Sequence, residues 1–502
     1  MSTYFDHIEE ITEDEIFSGL LGYGLFSSVI PPLFSSIQFY QYVMEHNPGF
    51  DNDGHDYIRY DSIRNINVPR QIGMPLPFPY AKLCLRVKSI WPKIISHFEK
   101  HTKDNPHKVS KIHIRKMEGK SHLFEMNYKG EEDSSSDDVD LLIGARFMVN
   151  ADISNCFPSI YTHSIPWALL GKEEAKSDLK PRRWFNQFDK AIRSIRNNET
   201  NGILIGPHAS NLISEIVLVV IDRVLIEKNY RFIRHVDDYT CFCKSFEEAE
   251  RFLLDLSKEL KVYELSLNHK KTRISKLPLA QSKNWVRKLS HYRFKKYKDE
   301  GEVFLHKNEI EEYLDSAIEL MANENDNTAI LNYAIKKISK ENMTTETLKL
   351  FLAKIHHLVL IYPYLVRILK DAVFDAFQVE KHEIKKISDN LIEEGLRTNQ
   401  YEMVSFGLFF AIHYQFEVGI EPAIERILSS NDCVLMTLAY VNQKKLGKGL
   451  LKFKKKARSI ISNNDEEQFW LYIYEILSSS ELKGDYKQMK NHKVSFVKSI
   501  YS

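Results

Sequence analysis

Cysteine is scarce in this chain, at five among 502 residues, and the scatter of the five excludes more than their number does. Cys84, Cys156, Cys241, Cys243 and Cys433 are odd in number and contain no C-x-x-C pair, which argues against a disulfide framework or a structural zinc site. Reduced thiols fit a cytoplasmic location. Long apolar runs are also lacking: the longest aliphatic stretch, "IVLVVI" from Ile216 to Ile221, is far too short to cross a bilayer. The N-terminus "MSTYFDHIEE" has neither the basic nor the apolar region of a signal peptide. No membrane partner is expected. Excess charge of one sign is absent too, the net charge being +1, so the overall balance neither favours nor opposes nucleic acid. What remains is an ordinary globular composition, 43% hydrophobic and 27% charged, in a chain longer than one core usually supports. Two domains are expected.

Locally, charge is uneven. Between His269 and Lys298 there are eleven Lys or Arg and no acid, with Trp285, Tyr292, Phe294 and Tyr297 interleaved. Basic groups neutralise phosphates and aromatic faces stack bases, so Lys270, Arg273, Trp285 and Arg287 suit a path for single-stranded nucleic acid or a primer end; a solvated basic face is the plain alternative. A second basic run, Lys444 to Arg458, has eight Lys or Arg and no acid. Against these stands "EEDSSSDD", Glu131 to Asp138, read as an exposed loop.

Texture divides the chain near residue 300. Residues 1–300 mix Pro-rich loops, short apolar runs and helical patterns, which predicts an α+β domain. Residues 301–502 are almost continuously helical in period, with breaks at "ENDN", "NMTT", "RTNQ", "SSND" and "SNND", which predicts stacked helical pairs or an ordinary bundle.

The chemistry concentrates in four short elements of the first part. In "ARFMVNADISNCFPSIY" a strand over Phe147 to Val149 delivers Asp152 to its end, and Phe157 follows five residues later. This spacing offers a hard oxygen ligand for Mg²⁺ and a flat ring against a sugar; the ring would clash with a 2′-hydroxyl and so select deoxynucleotides. Next comes "NGILIGPHASN", where Gly202, Gly206 and Pro207 predict a tight turn and Ser210 or Asn211 can cap the helix that follows. Then "RHVDDYT" places Asp237 and Asp238 in a hairpin, where either can join Asp152 around two metal ions. Alone, such a pair is a common turn. The amphipathic "FEEAERFLLDLSKELKVY", with a stripe of Phe246, Ala249, Phe252, Leu253, Leu256 and Leu260, leads to "LSLNHKKT", whose Lys271 is suited to meet phosphates or protonate a leaving pyrophosphate.

Four elements in this order resemble motifs A to D of the reverse transcriptase palm, a right-hand polymerase fold. The wording of "MNYK" (Met126 to Lys129), "DISNCFPSIYTHSIPWAL", "GPHASNLISEI" and "RHVDDY" is similar to that of the abortive-infection, AbiK-like group of prokaryotic antiphage reverse transcriptases. The resemblance covers about residues 60 to 290.

That resemblance implies a fold and a set of roles. The fold is a fingers and palm domain over 1–300, followed by an all-α, HEAT-like helical domain over 301–502 in place of a thumb. Asp152, Asp237, Asp238 and the main chain of Ile153 would hold two Mg²⁺, with Mn²⁺ as a substitute. Phe157 would gate the sugar, Gly206, Pro207 and Ser210 would lie beside the nascent pair, and Lys271, Arg115 and Lys129 would meet the triphosphate. Two departures from the general pattern stand out. His235 replaces the tyrosine of the "YxDD" box, and Ile205 replaces the glutamine before the motif B glycine. The group implies DNA synthesis from dNTPs without a template, primed by a tyrosine hydroxyl so that single-stranded product stays attached to the protein, and a homo-oligomeric assembly. With 25 tyrosines the priming residue is not identified. A templated enzyme of retron type and a non-catalytic interaction module are the competing expectations.

Overall fold

The computed structural model describes residues 3–51, 53–64, 69–117, 119–125, 136–279, 283–299 and 302–501. The whole "MNYK" stretch, Lys129 included, and residues 131–135 of the acidic run lie outside them.

Short β-rich runs build the sheet at the centre of the first part. β3 (Phe147–Asp152), β4 (Arg231–His235), β5 (Asp238–Cys243) and β6 (Arg273–Lys276) form one antiparallel sheet in the order β4-β5-β3-β6. Alternation fixes its faces. Phe232, Val149, Cys241 and Cys243 turn towards the main core, whereas Ile233 and Phe242 turn the other way and meet Leu141 in a small second cluster. The helices His208–Glu227 and Phe246–Val262 cover the core face. Of the predicted stripe on the latter, Ala249, Phe252, Leu256 and Leu260 are buried and Leu253 is half-buried. Phe246 is exposed instead, because it follows the capping Ser245 and lies at the rim, its ring edge against Phe147.

A second hairpin, β1 (Tyr57–Ser62) with β2 (Arg70–Pro75), precedes the helices Pro77–Ser89 and Trp91–Thr102. From Lys307 onward the described chain is helical, and the expected breaks fall where they were read. The helices Lys307–Ala322, Ala329–Ile338, Lys381–Thr398, Ile424–Ser429 and Leu451–Ser462 end at or shortly before those polar stretches, whereas Thr345–Ile361, Tyr401–Tyr414 and Cys433–Lys445 end elsewhere. Asn325, Asp326, Asn399, Asn431 and Asn464 take positive φ there, a conformation that short polar side chains tolerate better than most. Successive helices pack as neighbours: Lys381–Thr398 on Tyr401–Tyr414, that helix on Cys433–Lys445, and Cys433–Lys445 on Trp470–Ile476.

The helical part does not trail away from the rest. It returns to the N-terminal segment, where the Ser35 amide donates to the Phe496 carbonyl (2.8 Å) and the Lys498 amide to that of Leu33 (3.0 Å). Phe496 packs among Phe26, Phe39, Trp470 and Tyr474. A buried joint grips the end of β1: Arg367 binds Glu402 (2.9 Å) and Ser62, and the Glu402 carboxylate accepts the Ile63 amide at 2.6 Å. One continuous apolar core therefore runs from Tyr4 to Tyr501.

Among the described residues no helix is long and apolar enough to cross a membrane. All five cysteines are buried and unbridged.

Candidate active site

Strand register brings the distant aspartates together. Asp152, the last residue of β3, lies directly opposite Asp238, the first of β5. Asp237 falls in the two-residue turn between the paired His235 and Asp238, and its carbonyl accepts the Ile153 amide at 3.1 Å. Asp152 is only 5% exposed. Three carboxylates thus stand at one sheet end although Asp152 and Asp237 are 85 positions apart in the chain.

Their electrostatics reflect that crowding. Asp238 keeps part of its surface in solvent, yet desolvation, the charge of Asp237 and a hydrogen bond with Asp152 push its carboxyl up to about 7. Asp237 is also raised, by burial first and by Asp152 second, with Lys271 and Arg70 opposing. Lys271 Nζ lies 2.8 Å from Asp152 Oδ1, and Asn268 Nδ2 donates to Oδ2 at 2.8 Å. Asn268 also donates its amide to the Asp152 carbonyl (2.7 Å), while its own carbonyl accepts the amides of Lys271 and Thr272. It therefore orders the turn that presents Lys271 and orients Asp152. Sequence reasoning passed over Asn268; its place three residues before Lys271 in "LNHKKT" was the available signal.

The donor set suits a hard divalent cation, since carboxylate oxygens are its preferred ligands and the raised Asp238 carboxyl marks negative charge that a cation would offset. Among the described residues, however, no three metal-type side chains already surround one point. Lys271 and Asn268 engage the Asp152 oxygens instead.

The turn before the helix His208–Glu227 is bolted to β2. Gly206 has φ +130°, and a Cβ there would meet Ile72 Cγ2 at 2.7 Å and the Gly73 carbonyl at 3.0 Å. The Gly73 amide donates to the Ile205 carbonyl at 2.8 Å. The close backbone approach that a glycine permits is thus used against the first hairpin. Neither Ser210 nor Asn211 caps the helix: Pro207 is the capping residue, no side chain supplies a cap bond, and Ser210 is buried inside the first turn. Pro207 also supplies the extended backbone that launches the helix. Phe157 is half-buried against the core, in the single turn Cys156–Ser159, and its carbonyl accepts the Ile203 amide at 2.9 Å.

Other expected residues are distributed differently. Arg115 bears on the half-buried His7, the buried His113 and Glu125; the arginine felt at Asp237 is Arg70, at the start of β2. Sequence reasoning missed Arg70 because nothing local in "NVPRQIG" marks it. Lys270, Arg273 and Arg287 are exposed. Trp285 is not a free stacking platform: it is 9% exposed and packs edge-on against Tyr333. Tyr292 and Phe294 likewise pack on Tyr313, and Tyr297 on Phe304 and His306. The aromatic spacing serves the joint with the helical part. Three of the eight cations of the second basic run are paired with acids in place. Lys448 pairs with Glu417 and Glu421, Lys452 with Glu425 (2.7 Å) and Arg458 with Glu481 (2.7 Å).

An antiparallel sheet with helices on its core face and carboxylates gathered at one end has the layout of a polymerase palm. A model of the family reverse transcriptase (RNA-dependent DNA polymerase) matches residues 85–350, more than half of the chain, and the chain belongs to that family. No curated protein matches it in sequence. Among solved structures, apo telomerase from Candida tropicalis aligns at 12% identity over 81% of this chain and 76% of that one, with a TM-score of 0.33. The form truncated of its C-terminal domain aligns at 12% identity over 53% and 57%, with a TM-score of 0.32. Telomerase from Candida albicans in complex with the TWJ fragment of telomeric RNA aligns at 10% identity over 70% and 64%, with a TM-score of 0.31. This chain therefore spans less than two thirds of the truncated telomerase and of the Candida albicans chain. Scores this low carry no argument about function.

Proposed function

We propose that this protein is a reverse-transcriptase-type DNA polymerase of antiphage abortive infection that joins dNTPs without a template and primes on its own tyrosine. The observation that carries the polymerase reading is the register pair Asp152 and Asp238, with Asp237 in the adjoining turn. Asp152, Asp237, Asp238 and the Ile153 carbonyl would hold two Mg²⁺, or Mn²⁺, which supply charge stabilisation to an in-line phosphoryl transfer.

The chain's own groups do the rest. Lys271, whose side chain is 63% exposed, swings from Asp152 to the triphosphate and protonates the leaving pyrophosphate. Arg70 approaches the same phosphates from β2. Phe157 lies against the sugar and excludes a 2′-hydroxyl. Gly206, Pro207 and Ser210 form the floor beside the nascent pair, and Lys270, Arg273 and Arg287 lead the product strand away as exposed cations. The untemplated reading is supported by Ile205, an apolar residue that offers no amide to organise a template base.

The HEAT-like domain, by gripping β1 and the N-terminal segment, holds the fingers in place of a thumb; a homo-oligomer belongs to the same reading. The test is incubation of purified protein with Mg²⁺ and labelled dNTPs, with no nucleic acid, followed by a denaturing gel. A labelled band migrating with the protein is expected. Incorporation only when primer and template are supplied would replace this reading with that of a templated, retron-like enzyme. No incorporation under either condition would leave an interaction module.

A further inference from the structure

The turn that carries Asp237 is built on an ill-suited residue. Val236 has φ +58°, in the left-handed region where a β-branched residue is a true outlier. Two-residue hairpin connections normally place glycine, asparagine or aspartate at such a position. Its carbonyl accepts a 2.7 Å hydrogen bond from Arg234 Nη1. That guanidinium is wholly buried and is anchored by fork-to-carboxylate contacts on two sides. Nη1 and Nη2 reach Glu215 at 2.6 and 3.1 Å, and Nε and Nη2 reach Asp222 at 2.9 and 2.6 Å. Both acids lie on the helix His208–Glu227, and the Tyr239 hydroxyl adds a 3.0 Å bond to Asp222.

We propose that Arg234 is a positioning residue for nucleotidyl transfer: by tying the Val236 carbonyl to Glu215 and Asp222, it holds a strained turn in the conformation that sets Asp237 and Asp238 beside Asp152. The proposal rests on the reading of those aspartates as the catalytic carboxylates. It also makes the carboxylate hairpin one rigid body with the helix that starts at the Gly206 turn, so both walls of the nucleotide site keep a fixed spacing. A lysine has the charge but not the fork, and cannot satisfy Glu215, Asp222 and the carbonyl together.

The test compares Arg234→Lys with the pair Arg234→Lys plus Val236→Gly in the full-length chain. Incorporation is measured across a dNTP titration, and folding is followed by thermal denaturation. Arg234→Lys is expected to lower kcat per folded molecule about 100-fold, with the larger change in kcat and the smaller in KM. Glycine occupies positive φ without strain, so adding Val236→Gly is expected to restore about tenfold. A purely structural arginine would lower the melting temperature without that rescue. Unchanged kcat in Arg234→Lys, or no recovery with glycine, overturns the proposal. If Arg234→Lys does not fold, Asp222→Asn weakens one anchor while keeping the arginine; glycine must then recover turnover, and its failure to do so is equally fatal. Asp237→Ala run in parallel separates the two ideas. Loss of turnover there leaves the carboxylate reading standing whatever Arg234 does, whereas retained turnover removes that reading and this proposal together.

Discussion

The palm and the helical half handle charge in opposite ways. In the helical half, basic side chains pair one by one with acids near the surface, as Lys448, Lys452 and Arg458 do. At the end of the palm sheet, Asp152, Asp237 and Asp238 are gathered against their mutual repulsion, and Lys271 is the cation in direct contact. Charge spread into pairs on a surface contributes little and asks for nothing further. Like charges concentrated at a half-buried strand end destabilise the fold unless something else uses them. The palm therefore bears the marks of a site, and the helical half those of a support.

The contrast breaks most severely at the carboxylates. Asp237→Ala with Asp238→Ala is expected to abolish incorporation while the thermal transition stays at or above that of the wild type, since repulsion is relieved. A purified double variant that still makes DNA would sink the mechanism. The support half should behave in reverse. Arg367→Met strands the buried Glu402 carboxylate and is expected to cost about 3–5 kcal/mol in denaturant unfolding, with turnover per folded molecule unchanged. A loss of turnover exceeding the loss of folded protein would mean that the joint takes part in catalysis.

Within the site, Phe157→Ala is expected to relax the preference for deoxynucleotides by about tenfold or more, read as the ratio of dNTP to rNTP incorporation; an unchanged ratio removes its role as sugar gate. The smallest effect lies at the junction of the halves. His55 is bound by Glu467 at 2.6 Å and Asp51 at 3.0 Å, and these hydrogen bonds hold its imidazole up, at about 9, against the opposing effect of burial. Its contribution to stability is therefore complete below about pH 6.5, the ordinary imidazole value, and is lost as pH rises through about 9. Unfolding measured across that window should show a decline that His55→Gln removes. An identical pH profile in the variant would assign the decline elsewhere.

Much of this was legible beforehand. The breaks between helices were visible because asparagine-rich stretches favour conformations that end a helix. Asp152, Asp237, Asp238 and Lys271 were visible because their order along the chain is distinctive. Trp285 was misread as exposed: a basic, aromatic segment looks the same in sequence whether its rings meet solvent or, as here, Tyr333. Arg70 and Asn268 were missed because their importance lies in which strand end they reach.

By itself, the sequence determined the order of the motifs, the palm pattern and the helical texture beyond residue 300. These are local or near-local properties, written in periodicity and turn chemistry. Only the tertiary structure decided that Asp238 faces Asp152, that Arg234 ties Val236 to the helix His208–Glu227, and that the C-terminal helices return to clasp β1. Those are contacts between residues far apart in the chain, and their geometry depends on strand register and burial, which a linear pattern does not encode.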